Sequence, residues 1–318
     1  MTAAGPHPDV VTLGEALVVI RPTDATPAGA AGRFLMSVAG AESNVAVALA
    51  RLGHHVSFAG RVGDDAAGVR IRRSLRGEGV DVGSLHTDPG APTGLLIRDT
   101  GGPHGINVDY HRSSSAGSRL RPGDVDLDAV AAARFLFITG LTYGLSETSK
   151  AAIDDAVRVG RSAGTVICWD PNLRTKLHPL AVWERCLRPL LGQVDVVLGS
   201  GDELRVVTTT ATTEAAVSSL QGHGADTIVV RAGHDRTRVF QGDHHVEVPV
   251  DPVDAMDPVG AGDAFAGGLL SGLLDGIAIE EVVGRAHAVA RRCVLTAGDI
   301  EGLPTRQELE TDEDGVDR

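Results

Sequence analysis

Short apolar runs alternate with longer amphipathic stretches along most of this chain, and no other feature restricts its fold as much. Residues 10–13, 56–59, 135–139, 165–169, 194–198 and 227–231 read as strands. Residues 42–52, 66–76, 146–161, 180–191, 262–274 and 279–296 read as helices. In the first helix Val45, Leu49 and Leu52 recur on one face, and Gly53 stops the pattern. Consecutive strands separated by helices must cross over, so the expectation is a mostly parallel sheet with helices on both faces. The 40 glycines and the 3% aromatic content suit close packing of helices on such a sheet.

One segment breaks the rhythm. Residues 94–98 and 105–112 read as a hairpin joined by 99–104, and 16–20 could add a further strand after which 23–32 form a loop. In the second hairpin strand Ile106, Val108, Tyr110 and Arg112 share a face by the period of two. A hairpin that cannot join a parallel sheet is expected to cover something, and a lid over a ligand is the natural role. Residues 308–318 carry six acidic side chains and no apolar pattern, so a disordered acidic tail is expected, at the latest from 311 to 318.

Charge and composition exclude several classes. The net charge of -13 over 318 residues opposes binding to a nucleic-acid backbone, which needs clustered Lys and Arg. Arg70, Arg72, Arg73 and Arg76 read as a solvated helix face. The three cysteines, Cys168, Cys186 and Cys293, are too few and too scattered for a disulfide framework or a zinc cluster and fit a reducing compartment. All 12 histidines, including the pairs His54-His55 and His244-His245, read as surface residues. No stretch approaches the roughly 20 apolar residues of a membrane span, and a cytoplasmic location is expected.

The densest chemical signal is Asp257-Pro258-Val259-Gly260-Ala261-Gly262-Asp263-Ala264-Phe265, directly before a helix. Glycines let main-chain N–H groups converge, and a helix N-terminus adds about half a positive charge. The Gly260, Ala261 and Gly262 amides are therefore expected to form an anion hole for a transferring phosphoryl group. Asp263, in the first turn, is placed to accept the proton of an attacking hydroxyl, and the helix dipole is expected to keep it ionised. A loose phosphoryl-transfer transition state asks little more of a base. A dinucleotide fingerprint fails here, because Phe265 occupies its third glycine position and Asp257-Pro258 replaces the preceding strand. That speaks against a nicotinamide-dependent dehydrogenase.

This segment resembles the C-terminal signature of the PfkB, or ribokinase-like, carbohydrate kinases. Ala39-Gly40-Ala41-Glu42-Ser43-Asn44-Val45-Ala46, followed by Gly60-Arg61-Val62-Gly63-Asp64-Asp65, resembles the N-terminal signature of the same family. The resemblance implies a single ribokinase-like catalytic domain over 1–310, a Rossmann-type three-layer α/β sandwich, with a small β lid formed by about 15–38 and 93–114. It implies ATP and Mg²⁺ as cofactors and a monovalent cation such as K⁺. By the same resemblance Asp263 is the catalytic base, with Gly260, Ala261 and Gly262 as anion hole. Gly40 and Asn44 contact sugar hydroxyls, and Asp257 contributes to the cation site. Ser200 and Glu203 correspond to an Asn-x-x-Glu stretch whose Glu organises Mg²⁺ and phosphate, with Ser200 replacing the Asn. Arg231-Ala232-Gly233 resembles the start of the nucleotide loop, with Arg236 near the place of its second glycine.

Within the family the stretch Tyr110-His111-Arg112 through Ser115-Ala116-Gly117-Ser118, together with Asp170-Pro171-Asn172-Leu173-Arg174, is similar to segments of 2-keto-3-deoxygluconate kinases. That likeness implies a sugar-acid substrate contacted by Tyr110, Arg112, Arg174 and Asp263, and two converging arginines suit a carboxylate. Val19 lies where fructose-type kinases often carry an Asp, and Leu96 where some ketodeoxygluconate kinases place a tyrosine. The alternatives are another sugar or nucleoside kinase of this family and, from another class, a non-catalytic sugar or nucleotide sensor. The expected partner is a small molecule, not nucleic acid or membrane, and an exposed lid face is the surface that would pair two copies.

Overall fold

The computed structural model describes residues 7–100, 106–233 and 235–313. Thirteen strands are present among them: β1 (Val10–Leu13), β2 (Leu17–Pro22), β3 (Phe34–Ala39), β4 (Val56–Gly63), β5 (Leu85–Asp88), β6 (Leu95–Arg98) and β7 (Val108–His111), then β8 (Phe135–Thr139), β9 (Val166–Asp170), β10 (Val196–Ser200), β11 (Thr227–Arg231), β12 (Arg236–Gln241) and β13 (His244–Pro249). The helices are α1 (Ala41–Arg51), α2 (Ala66–Gly77), α3 (Leu127–Ala132), α4 (Gly140–Tyr143), α5 (Glu147–Ala163) and α6 (Leu180–Leu187), then α7 (Gly201–Thr208), α8 (Thr213–Gly222), α9 (Ala261–Asp275), α10 (Ile279–Val294) and α11 (Arg306–Glu313).

Nine strands form one sheet in the order β13-β12-β11-β10-β9-β8-β1-β4-β5. From β11 to β5 every pairing is parallel, and the hairpin β12–β13 adds an antiparallel edge. The expected ribokinase-like sandwich of a large mostly parallel sheet between helices is thus the observed one. Its parallel part is buried on both faces, so Val10 and Val11 point into two different cores. One core holds Val45, Leu49, Phe58, Leu269 and Val289; the other holds Leu136, Ile153, Trp169, Trp183 and Leu220. Strand order reverses beside β1, whose neighbours β4 and β8 continue in opposite directions along the sheet. Open α/β sheets leave a crevice at the carboxyl ends of strands around such a reversal.

A second sheet of four strands, in the order β3-β2-β6-β7, stands apart from the first. Its small core is Leu17, Val19, Ala39 and Leu96, with Val108 and Tyr110 packed against it. Val19 and Leu96 are buried there, which gives both apolar residues a structural reason. Residues 101–105, including part of the expected hairpin connection, lie outside the described residues.

Four expectations change. The stretch 180–191 is helical only to Leu187, because Pro189 lacks the amide that would continue the ladder, and a 3-10 turn at Arg188–Leu190 finishes it. The tail is not disordered from Glu308, since α11 runs to Glu313 on a capping pair in which the Thr305 amide donates to Glu308 at 2.7 Å. Residues 314–318 lie outside the described residues. His54 is not a surface residue: its Nε2 lies 2.9 Å from Ser271 Oγ and 3.2 Å from the Arg306 guanidinium. His287 is likewise turned inward, 2.9 Å from Thr237 Oγ1. Among the described residues no helix is long and apolar enough to cross a membrane.

Helix α9 carries the glycine-rich motif at its start and is wedged between α1 and α10. A side chain at Gly268 would put its Cβ 2.7 Å from Ala286 Cα, and one at Gly267 would reach Ala48 Cβ at 2.5 Å. These glycines therefore set the depth at which the helix sits. Gly268→Val should lower the unfolding free energy by about 1–3 kcal/mol through overpacking, measured by urea denaturation. Unchanged or raised stability would refute this packing account.

Candidate active site

The first turn of α9 is built to leave main-chain donors free. Gly260 adopts φ 85°, and a Cβ there would sit 2.7 Å from the Asp299 carbonyl oxygen, so only glycine fits the turn. The amides of Gly260, Gly262 and Asp263 have no acceptor among the described residues, whereas the Ala261 amide makes a long 3.4 Å bond to the Pro258 carbonyl. The expectation that all of Gly260, Ala261 and Gly262 offer amides is corrected in that detail: Asp263 supplies a donor and Ala261 is partly engaged. Three free N–H groups at a helix N-terminus can bind an anion.

Asp263 sits in this turn, and its Oδ2 accepts a hydrogen bond from Asn44 Nδ2 at 2.8 Å. Asn44 comes from the first turn of α1, capped by Gly40. A Cβ on Gly40 would collide with the Glu15 carbonyl oxygen, so the two chain segments touch there. Burial pushes the Asp263 carboxyl above its ordinary value, against the Asn44 bond, the charges of Arg174 and Arg231 and the Asn172 side chain. The dipole alone does not decide its charge, contrary to the sequence expectation. A basicity raised in this way suits a group that must take a proton. Two acceptors beside it, Asn44 Oδ1 and Asn172 Oδ1, are buried without a partner among the described residues. Orphaned acceptors of this kind fit ligand hydroxyls.

Arg231, at the end of β11, joins three parts of the site. It donates to Asp170 Oδ2 at 3.1 Å and to the Gly262 carbonyl at 3.3 Å, and lies 3.9 Å from Glu203 Oε2. Its guanidinium also sits over the Phe265 ring, 6.0 Å from the centroid. Asp170, at the end of β9, is pushed up to about 6 by burial, against the Arg231 charge. Glu203 and Ser200 cap α7 reciprocally: the Ser200 amide donates to Glu203 Oε2 at 2.9 Å and the Glu203 amide to Ser200 Oγ at 3.3 Å, while Glu203 Oε1 accepts from the Leu173 amide at 3.0 Å. Both side chains therefore hold the strand end and the segment leading to Arg174. Gly233 takes φ 60° in the exposed turn between β11 and β12.

The sugar-acid residues fall into two groups. Arg174 makes no ion pair among the described residues, its one side-chain bond going to the Leu173 carbonyl at 3.2 Å. Two residues on, Lys176 donates to Asn107 Oδ1 and the Val108 carbonyl, each at 3.0 Å, which brings this loop against the small sheet. Arg112 is different. It is buried, 7% exposed, and bonds through Nε to Glu15 Oε2 at 2.7 Å. Glu15 also accepts from Ser115, and the Arg112 guanidinium lies 5.7 Å from the Tyr110 ring centre. Arg112 was expected to be free for a substrate carboxylate, and this is corrected: Glu15, 97 residues away, neutralises it.

The monovalent-cation expectation does not fit either. Asp257 is 2% exposed and its oxygens accept from Arg98 at 2.6 and 3.3 Å, the Gly298 amide at 3.0 Å and the Val259 amide at 3.2 Å. Four donors around one carboxylate leave no room for an ion to compete. Among the described residues no three acidic, His or Cys side chains converge as a metal site.

Asn172, Asp170, Glu15, Arg98 and Glu42 complete the region and escaped the sequence reading as site residues. The first two were visible inside Asp170-Pro171-Asn172-Leu173-Arg174, whose strand-end position was the available signal.

The profile of the pfkB family of carbohydrate kinases matches residues 7–306. A 2-dehydro-3-deoxygluconokinase of Bacillus subtilis is 33% identical over 304 residues, 95% of this chain and 94% of that protein. A probable fructokinase-2 of Arabidopsis thaliana is 30% identical over 314 residues, 93% of each chain. The crystal structure of a PfkB protein from Polaromonas sp. JS666 superposes with a TM-score of 0.86 at 33% identity, covering 95% of this chain and 99% of that one. A Vibrio cholerae O395 fructokinase double mutant in a fructose-, ADP- and potassium-bound form gives a TM-score of 0.83 at 26% identity, covering 97% and 99%.

Glu42, two residues before Asn44, generates a pH prediction. Burial pushes its carboxyl up to about 7, although Thr139 Oγ1 donates to it at 2.6 Å. The folded protein thus holds this proton above the 4.5 at which the unfolded chain releases it, so stability is lost as pH rises from about 4.5 to about 7. Glu42→Gln should escape that loss. Its stability relative to the parent should improve by on the order of 2–3 kcal/mol between pH 5 and pH 8 in urea titrations. A difference that stays constant across that range would contradict the assignment.

Proposed function

The chain belongs to the pfkB family of carbohydrate kinases and is an ATP-dependent kinase of this class, and on that premise we propose that it phosphorylates the terminal hydroxyl of 2-keto-3-deoxygluconate or a close sugar acid. The observation that carries the chemistry is Asp263, held by Asn44 beside amides that have no acceptor. In this reading Asp263 orients the acceptor hydroxyl and takes its proton late in the transfer. The Gly260, Gly262 and Asp263 amides bind the charge that develops on the migrating phosphoryl group, and Arg231 adds a cation next to the Gly262 carbonyl. Asn44 Oδ1 and Asn172 Oδ1 accept from substrate hydroxyls. Bound ATP with Mg²⁺ supplies the phosphoryl group and neutralises its charge. Glu203, whose oxygens already accept from Ser200 and the Leu173 amide, would act on the ion indirectly from its place near Arg231. The small sheet, tied by Lys176 to the Arg174 loop, keeps water from competing with the sugar.

Arg174 supports the acid substrate, since among the described residues it makes no ion pair and lies close enough to Asp263 for its charge to act there. One observation favours a second reading. Arg112 is already neutralised by Glu15, so of the two expected arginines only Arg174 is without an ion pair among the described residues, and a neutral ketohexose is compatible with that charge. Relatives of both kinds are similar to this chain to nearly the same degree.

A coupled ADP-release assay over matched neutral sugars and sugar acids separates the readings. The expected result is a kcat/KM for 2-keto-3-deoxygluconate at least tenfold above that for fructose, roughly the worth of one charged hydrogen bond. Arg174→Ala should raise KM for the acid by about tenfold and leave neutral sugars unaffected. Equal loss on both classes would defeat the acid reading. Asp263→Asn should lower kcat by roughly 10²–10⁴-fold with little change in KM for ATP. Near-normal turnover in that variant would remove Asp263 from the role of base.

A further inference from the structure

Two buried arginines of the small sheet reach the loop that follows α10. Arg21 on β2 donates to the Ala297 carbonyl at 3.0 Å. Arg98, the last residue of β6, goes deeper. Its side chain is 1% exposed and bridges two buried carboxylates, Asp257 at 2.6 Å and Asp299 at 3.3 Å. These carboxylates bracket the Gly260 turn. Asp257 stands three residues before Gly260 in the motif. The Asp299 main chain packs directly on Gly260, close enough to forbid a Cβ there. The Asp257 carboxylate also accepts the Val259 amide inside the turn and the Gly298 amide in the loop opposite. One guanidinium thus fixes both sides of the turn that aims the free amides of α9.

A cation at this point offsets a physical cost. Two carboxylates buried side by side repel each other and are costly to desolvate unless a positive charge lies between them. The fructokinase double mutant reported above was solved with a potassium ion, and the family resemblance placed Asp257 at such a site. Here the donors around Asp257 come from the protein itself. We propose that Arg98 is a tethered internal cation that replaces a monovalent ion beneath the anion-binding turn, so that turnover needs no K⁺. The tether has a second consequence that an exchangeable ion lacks. Because Arg98 belongs to the small sheet, the position of that sheet and the geometry of the turn are mechanically linked. Arg98 is a positioning residue, acting through Asp257 and Asp299.

The rate readout of this inference rests on the kinase reading, whereas its melting readout does not. The full chain is assayed for ADP release, and its thermal melting is recorded, in tetramethylammonium buffer with K⁺ or Na⁺ exchanged in at constant ionic strength. The parent protein should show the same kcat within about twofold and the same melting temperature in all three ions. Arg98→Ala leaves two buried carboxylates without their counter-charge, so its kcat should fall by at least about tenfold. Its melting temperature and remaining rate should now rise with K⁺ over tetramethylammonium. Arg98→Lys, which keeps the charge, should retain most of the parent kcat. A parent enzyme activated several-fold by K⁺ in a saturable way would overturn the proposal, and so would an Arg98→Ala protein with the parent kcat. If Arg98→Ala does not fold, the parent's ion titration decides alone. If the parent phosphorylates no sugar, the kinase reading fails, and the melting comparison still judges the tethered cation.

Discussion

A hydrogen bond of 2.8 Å between Asn44 and Asp263 joins the first turns of two helices that are 219 residues apart in sequence. Most of the site is arranged around that contact. Helix α1 follows the small-sheet strand β3, whereas α9 follows the edge hairpin of the large sheet. Their first turns meet at the gap that the reversal of strand order beside β1 opens in the large sheet. Packing supplies the tolerance. Gly267 and Gly268 let α9 lie against α1 and α10 at backbone distance, so Asp263 cannot retreat from Asn44 without disturbing a buried interface.

Electrostatics then separates the roles of the charges. The region is rich in buried carboxylates, and burial raises Asp263, Asp170, Asp299 and Glu42 above their ordinary values. Each cation present is assigned to one or two of them: Arg231 to Asp170 and the Gly262 carbonyl, Arg98 to Asp257 and Asp299, Arg112 to Glu15. Arg174 is the exception, without an ion pair among the described residues. Among the described residues, three amides without an acceptor and two orphaned amide oxygens stand beside Asp263, whose charge Arg174 and Arg231 both favour.

Local signals were legible in the sequence and distant pairings were not. The α/β alternation, the helix opening at Gly260 to Asp263 and the first strand 10–13 depend on neighbouring residues only, and they could be read directly. Strands β3, β5, β12 and β13 escaped; in the edge strand β13 no residue is fully buried, so its segment reads as polar. The capping pair Thr305 and Glu308 was overlooked beneath the acidic composition of the tail. At the site, residue type suggested that Arg112 and Asp257 were open to ligands. Their actual partners, Glu15 and Arg98, are 97 and 159 residues distant, and no periodicity connects them. Charge pairing across the two sheets is a property of tertiary packing, so it became visible only in three dimensions.

The central claim is that the Asp263 carboxylate and the free amides beside it direct a phosphoryl group onto a sugar alcohol. Phosphorus NMR of the product formed from ATP and 2-keto-3-deoxygluconate reads that event at the atom concerned. The account predicts one phosphomonoester signal, split by the two protons of a terminal methylene, growing in step with ADP and at least about a hundredfold more slowly with the Asp263→Asn protein. Release of inorganic phosphate without an ester, or the same ester formed at an unchanged rate by Asp263→Asn, would contradict it.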